Sequence, residues 1–341
     1  MEFVYVVVSE KDDFYVEYCA VSVYSLKKYN KEAKVCVICD SNTYDHIIAK
    51  KKYFLEIVDK IIPVSITQDY TALQKSRFLK TSVRTLIDGD FVFIDTDTII
   101  TGDLKGLHSF DKDIGAVKTQ DSDLWSKDNQ HIHFKRYNTQ RNLPEDFNYG
   151  IDNYFNSGVI ICRDTSKARE FYEEWHKSWL ESSEKYSFHQ DQCDFARINA
   201  LYGNLVTEIR GDYNFMAVSP GISMKFFNDC KIFHYFSTSD KLKKIKIKDP
   251  GLLERLSRNG ISSEIDDLIA NIKTDYLKNI FKERGNFIIF RPKNDDKIVA
   301  KLSLYLKYKI FWYNIYRKLK QRQIAMSLFG KTGIAVSHCL I

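Results

Sequence analysis

The chain has 341 residues, 44% of them hydrophobic and 28% charged, with only 5 Pro, which excludes a disordered, collagen-like or low-complexity protein and is enough for a large core. The formal net charge is +6, but nine Lys/Arg and no Asp or Glu lie between Lys297 and Ile341, so residues 1–296 carry 42 basic against 45 acidic side chains, a net of −3. A slightly acidic body with a +9 tail points to an anionic partner for the tail, a membrane surface or nucleic acid.

In chain order, Phe3–Val8 is a short apolar run suited to a buried parallel strand. Glu17–Tyr29 has helical spacing at Cys19, Val23 and Leu26 and stops at Asn30. Lys34–Cys39 predicts a second strand, Ser41–Tyr53 a helix, and Ile57–Ile66 a third strand interrupted at Pro63. Leu73–Ile87 reads as one helix, and Asp88-Gly89 as the turn into a strand at Asp90–Asp95. This βαβα order predicts a doubly wound α/β sheet with a ligand cleft at the carboxyl ends of its strands. Strands are expected at Ile114–Lys118 and Tyr154–Cys162, followed by a helix at Ser166–Leu180. Between those strands Asp121–Tyr149 is polar and long, as binding segments and lids are. After Pro250-Gly251 the pattern is helical, over Leu252–Arg258 and again from Ser263 to Lys282, with Gly285 beyond its end. The expected division is a catalytic domain over 1–250, a helical addition packed on it over 251–296, and a basic tail over 297–341.

Seven Cys, an odd number, and a start without a basic leader region predict free thiols in a reducing, cytoplasmic compartment. Cys36-x-x-Cys39 lies in a strand-like run, where positions i and i+3 face opposite sides, so buried structural thiols are expected rather than a redox or zinc pair. No apolar stretch reaches the roughly eighteen residues of a spanning helix.

The segment that carries chemistry is Phe91-Val92-Phe93-Ile94-Asp95-Thr96-Asp97. An apolar strand delivers two carboxylates at i and i+2, on one side of extended backbone, where both reach one divalent ion. Hard oxygen ligands at the carboxyl end of a strand suit Mg²⁺ or Mn²⁺ carrying a diphosphate. Taken alone, the pair is a weak signal and reads first as a solvated turn or a helix cap.

Asp95-x-Asp97 followed by Asp103-Leu104 resembles the signature of family 8 retaining glycosyltransferases. Four further segments resemble that family in its order. They are Tyr154-Phe155-Asn156-Ser157-Gly158-Val159-Ile160-Ile161, Gln190-Asp191-Gln192 with Asn199, Asn214-Phe215-Met216 and Phe233-His234-Tyr235. The resemblance covers about residues 1–240. It implies the GT-A fold, a central mixed sheet flanked by helices, here with a helical basic C-terminal extension.

It also implies roles. Asp95 and Asp97 would bind the metal and His234 would complete its ligands, a set with imidazole that favours Mn²⁺, with Mg²⁺ the alternative. Asp191 would hold donor-sugar hydroxyls, a role compatible with a stabilising carboxylate at a helix start. Gln192 would face the anomeric carbon as a poor nucleophile, which favours front-side attack over a covalent intermediate. Asn156 and Gly158 would pack the donor sugar, with Thr96 on the turn between the carboxylates. Ser9, Asp12 and Tyr15 occupy the place of the family's base-binding loop, the alternative being a polar loop after the first strand. Lys80 and Arg84 lie on the helix before the Asp-x-Asp strand, and Arg84 resembles the family's donor-contacting Arg; otherwise it is a surface charge. Where the family continues with Gly and Lys-Pro-Trp after its His, this chain has Ser237-Thr238-Ser239-Asp240-Lys241, and Lys241 stands one position off the phosphate-contacting Lys. Trp125, His131 and His133 are expected to contact the acceptor, His131-x-His133 otherwise being a metal pair.

From Lys301 to Gln323 apolar residues recur at i+3/i+4 with Tyr305, Trp312 and Tyr316 beside them and basic residues on the remainder. That pattern reads as an amphipathic helix on an anionic membrane surface, or else as a C-terminal helix packed on the body or against a homodimer partner. With no recognised nucleic-acid module, nucleic acid is not expected. The expectation is a metal-dependent transferase that moves a hexose, galactose or glucose, from a UDP-sugar to a glycan or lipid-linked acceptor with retention. It would build bacterial surface polysaccharide or lipopolysaccharide on the inner face of the membrane. The alternatives are an inverting enzyme of the same fold and a non-catalytic nucleotide-sugar-binding scaffold.

Overall fold

Alternation of apolar residues builds two cores on one sheet. In β1 (Glu2–Val7) Phe3, Tyr5 and Val7 enter one core, while Val4 and Val6 enter the other. The same period of two recurs in β2 (Val35–Asp40), in β4 (Phe91–Ile94) and in β7 (Phe155–Cys162), all buried along their length. With β3 (Lys60–Val64), β6 (Ile114–Lys118) and β8 (Val206–Glu208) they form a seven-stranded sheet of order β3-β2-β1-β4-β7-β6-β8. The first four strands of that order are parallel. β7 then runs antiparallel to both β4 and β6, which makes the sheet mixed. The computed structural model describes residues 1–10, 13–119, 153–217, 226–236 and 245–283.

One face of the sheet is covered by α1 (Tyr15–Tyr29), whose Val16, Cys19, Ala20, Val23 and Leu26 are buried. The other is covered by α4 (Ala72–Thr81), α5 (Val83–Leu86), α6 (Ser166–Tyr186) and α7 (Asp191–Leu201), through Leu79, Val83, Phe171, Trp175 and Phe195. Several of the helix starts are capped by side chains. Asp40 accepts the Thr43 N–H at the head of α2 (Ser41–Lys50), Thr71 and Gln74 form a capping box on α4, and Thr165 accepts the Ala168 N–H on α6. A second sheet joins β5 (Thr98–Ile100), β10 (Ile232–His234) and β9 (Phe215–Met216) in the order β5-β10-β9. Its Phe215 and Phe233 share a third core with α8 (Pro250–Asn259) and α9 (Ser263–Glu283), so residues 250–276 pack on the strands that carry His234.

The expected α/β architecture, a mixed sheet flanked by helices, is present, with local differences. The helix expected over Ser41–Tyr53 stops at Lys50 and restarts as α3 (Lys52–Leu55). The break lets Lys51 turn inward, where its ammonium lies 2.5 Å from the buried Glu17 carboxylate and 2.6 Å from Ser257 Oγ, and Tyr53 donates to the same carboxylate at 3.0 Å. The expected helix Leu73–Ile87 is likewise two pieces, divided at Ser82. Pro63 is accommodated because β3 is an edge strand. α6 runs beyond Leu180 to Tyr186 and ends on Ser187 in the left-handed region (φ 53°). Cys36 and Cys39 are buried and unbonded, as expected of structural thiols. Under α7, Asp194 is fully buried and accepts from Ser178 Oγ at 2.6 Å and Ser182 Oγ at 2.8 Å. Burial pushes its carboxyl up to about 6, against the pull of the two hydroxyls and Arg197.

Candidate active site

The carboxyl end of β4 delivers Asp95 and Asp97, and the end of β10 delivers His234. β5 is the device that brings them together. It follows Asp97 directly, pairs antiparallel with β10, and places Thr98 opposite His234. The Tyr235 N–H donates to the Asp97 carbonyl at 3.1 Å and the Thr98 hydroxyl to the Asp95 carbonyl at 2.9 Å, which fixes the turn between the carboxylates. His234 Nε2 lies 3.2 Å from Asp97 Oδ1 and 4.0 Å from Asp95 Oδ2, and one ligand atom from each of the three falls within 4.8 Å of the others. Two carboxylates and an imidazole so gathered fit a borderline divalent cation. His234 is buried and stacked on Phe236 at 3.9 Å. Gly158 is closed in around the same point. A Cβ there would lie 2.5 Å from His234 Cε1, 2.7 Å from Asp95 Oδ2 and 2.8 Å from Asn156 Oδ1. Only glycine lets β7 approach so closely.

Beside this cluster is a second one, built on α4, β7 and α7. Lys80 Nζ is 3.2 Å from Asp95 Oδ1, 3.1 Å from Asp191 Oδ2 and 3.2 Å from Ser157 Oγ. Arg77 Nε is 3.0 Å from the other oxygen of Asp191, and the Ser157 hydroxyl donates to Asp191 at 2.8 Å. Burial works to raise the Asp191 carboxyl, but Lys80, Arg77 and Ser157 outweigh it and hold it down at about 2. The Trp175 indole N–H donates to the Asp191 carbonyl at 2.9 Å and pins the first residue of α7.

A chain of amides joins the two clusters. The Gly158 N–H donates to Asn156 Oδ1 at 2.9 Å, so that atom is the acceptor and Asn156 Nδ2 donates to Gln192 Oε1 at 3.0 Å. The Ser157 N–H approaches the same Gln192 oxygen at 3.4 Å. Asn214 Nδ2 donates to Asn156 Oδ1 at 2.8 Å, which turns Asn214 Oδ1 toward His234 Nδ1 at 3.1 Å. His234 Nδ1 therefore carries a proton and donates to Asn214, and Nε2 is the ring nitrogen that faces the carboxylates, on the side where a cation would be held.

The structure thus gathers Asp95, Asp97, His234, Lys80, Asn156, Gly158, Asp191 and Gln192 of the expected site, with Thr96 half-buried on the turn between the carboxylates. Ser9 sits on the loop between β1 and α1, where its hydroxyl donates to Asp13 at 2.6 Å, and Tyr15 is the first residue of α1. Tyr15 connects to the site through an edge-to-face series, 6.1 Å to Tyr18 and 5.8 Å from Tyr18 to Tyr235. Next to that loop a cleft of about 330 Å³, lined by Ser9, Asp40, Asn42, His46 and Lys75, opens at the carboxyl ends of β1 and β2. Arg84 lies elsewhere than helical spacing places it. On an unbroken helix it would share a face with Lys80, but the break at Ser82 moves it along β4. Its guanidinium lies over the Phe91 ring (4.9 Å), while Lys80 lies over Phe93 (5.1 Å), nearer Asp95. Arg84 is buried, donates to the Ile87 carbonyl and pairs at 3.9 Å with Asp164, away from the carboxylates. Arg77, one turn before Lys80, is the arginine that pairs with Asp191, and its spacing of i−3 from Lys80 is the signal in the sequence. Ser157 and Asn214, inside the quoted motifs, are the other additions. Asp12, Lys241, Trp125, His131, His133 and the 297–341 tail lie outside the described residues.

A model of glycosyl transferase family 8 matches residues 6–241. No curated protein matches the chain. Among solved structures, galactosyltransferase LgtC in complex with donor and acceptor sugar analogs is 15% identical, over 79% of this chain and 100% of that one, with a TM-score of 0.48. Mouse xyloside xylosyltransferase 1 is 13% identical, over 69% and 97%, TM-score 0.45. The glycosyltransferase GlyE of Streptococcus pneumoniae is 15% identical, over 81% and 64%, TM-score 0.47. With more than two thirds of its length matched by that family model, from β1 to just past His234, and with the mixed sheet expected of the GT-A fold, this chain belongs to glycosyl transferase family 8.

Proposed function

We propose that this glycosyltransferase transfers a hexose, galactose or glucose, from a UDP-sugar to a glycan or lipid-linked acceptor, with Mn²⁺ as its cofactor and Mg²⁺ as the alternative. The observation that carries the reading is the contact between the Asp95–Asp97–His234 cluster and the Lys80–Asp191–Ser157 cluster. Asp95, Asp97 and His234 would hold the ion, which when bound supplies Lewis-acid neutralisation of a diphosphate leaving group. Asp191, kept anionic far below neutral pH, accepts hydrogen bonds from sugar hydroxyls. Gln192 has its carbonyl oxygen engaged by Asn156 Nδ2, with the Ser157 N–H close by. It is therefore the NH₂ end of Gln192 that is left for the substrate, and an amide NH₂ is no nucleophile. This supports retention by front-side attack, the leaving phosphate taking the acceptor's proton, over a covalent intermediate on Gln192. We further propose that the basic segment 297–341 holds the enzyme at an anionic inner leaflet, where surface glycans are built on lipid. Among the described residues no helix is long and apolar enough to cross a membrane.

The test is a panel of nucleotide sugars with Mn²⁺, read by UDP release and by NMR of the anomeric proton of the product. UDP-galactose or UDP-glucose should turn over with an axial-to-axial outcome. Turnover that needs no divalent ion, or a product of inverted configuration, would refute the reading. Deleting residues 297–341 should abolish binding to anionic vesicles and spare UDP-sugar hydrolysis.

A further inference from the structure

Lys80 is 3% exposed, and its three ammonium protons have three partners: Asp95, Asp191 and Ser157. Because the Ser157 hydroxyl donates to Asp191, its oxygen accepts from Lys80. Two of the three partners belong wholly to the sugar side of the site. The third, Asp95, belongs also to the cluster of candidate metal ligands. Its Oδ1 is 3.2 Å from Lys80, and its Oδ2 is 3.5 Å from Lys80 and 4.0 Å from His234 Nε2. A dication and an ammonium therefore contest one carboxylate, and like charges at such range oppose each other strongly in a half-buried cleft.

We propose that Lys80 is an internal counter-ion of the metal site. It holds Asp95 while no cation is bound and yields that carboxylate when one arrives. It then stays anchored on Asp191 and Ser157 and turns its released N–H to an oxygen of the bound nucleotide sugar. Lys80 thereby links cation occupancy at Asp95 to the donor side at Asp191. The inference rests on the reading of Asp95, Asp97 and His234 as metal ligands given above.

The test is a titration of the full chain with Mn²⁺ alone, and again with UDP, read by the EPR signal of free Mn²⁺. Lys80→Met, which removes the charge, should tighten Mn²⁺ binding without nucleotide by about tenfold or more, while lowering turnover. Lys80→Arg should stay near the wild type. Ser157→Ala, which withdraws a competing partner and leaves Lys80 more firmly on Asp95, should weaken Mn²⁺ several-fold. Asp97→Asn should lose Mn²⁺ in every condition. Unchanged affinity in Lys80→Met, or in Ser157→Ala if the Met variant does not fold, overturns the proposal while leaving the metal reading intact. Absence of Mn²⁺ uptake by the wild type with and without UDP would refute the metal reading, and the proposal with it.

Discussion

Asn214 Oδ1 lies 3.1 Å from His234 Nδ1, and the direction of that hydrogen bond descends from one backbone donor, the Gly158 N–H, through Asn156. Partners of this kind fix the tautomer of a ligating imidazole and are worth about 10–100-fold in metal affinity. Asn214→Ala is therefore expected to weaken Mn²⁺ binding by roughly that factor, in a protein that circular dichroism still reports as folded. A titration followed by EPR decides it, and an unchanged affinity would show that Asn214 does not orient the ring.

Gly158→Ala should cost activity out of proportion to its size. The added methyl meets the His234 ring, the Asp95 carboxylate and the Asn156 amide, all closer than 3 Å. Accommodating it moves two candidate ligands together, so turnover should fall about 100-fold or more, since misplacement by about 1 Å can cost that much. Circular dichroism should still report a folded protein.

Arg77 and Arg84 make a discriminating pair. Arg77→Met removes one of the two cations that hold Asp191 anionic and in place, so KM for the donor should rise. Arg84→Met exchanges a buried guanidinium, with Nε and Nη1 unpartnered, for an apolar chain of similar length. Asp164 keeps Arg169 at 2.6 Å, so stability should change by no more than about 1–2 kcal/mol and turnover by about twofold or less. Loss of turnover in Arg84→Met would restore that residue to the donor site.

Lys51→Met leaves the Glu17 carboxylate buried without its cation, Tyr53 being its remaining partner among the contacts described. Breaking a buried pair in this way costs about 3–5 kcal/mol. Urea denaturation should show it, and the double variant Glu17→Leu/Lys51→Met should recover most of the loss.

The two buried carboxyls on α7 set opposite pH dependences. Asp194, raised to about 6, binds its proton more tightly in the native state. It therefore contributes stability as pH falls from about 7 toward 4, about 1–1.5 kcal/mol between pH 7 and 5. Asp191, lowered to about 2, contributes stability above its unfolded value near 4 and loses it as pH falls through 2. The difference in melting temperature between wild type and Asp194→Asn, measured from pH 5 to 8, isolates the first. A difference that does not change with pH would contradict the raised pKa.

Much of this was legible in the residues. The period-two runs of β1, β2, β4 and β7 and the carboxylates at i and i+2 follow from local geometry, and the order of five motifs identified the family's frame. What escaped was set by tertiary contact. Helical spacing runs on through Lys51 and Ser82, and nothing local reveals that Glu17 draws Lys51 inward or that the backbone breaks before Arg84. β5 has three residues, too few for a pattern, although it aligns Asp97 with His234. Nothing in the residues around Arg77 shows that Asp191, more than a hundred positions later, lies opposite it.

The antiparallel insertion of β7 has a consequence for biosynthesis. The Asp95 N–H donates to the Gly158 carbonyl at 2.8 Å, so the turn bearing the carboxylates is not set until β7 has emerged and slid in beside β4. His234 emerges later still. At about 5–20 residues per second, translation from Asp97 to His234 takes on the order of 10–30 s. Throughout that interval a nascent chain exposes a pair of carboxylates with no imidazole beside them, and the three-residue cluster can form only once 234 of the 341 residues have been made.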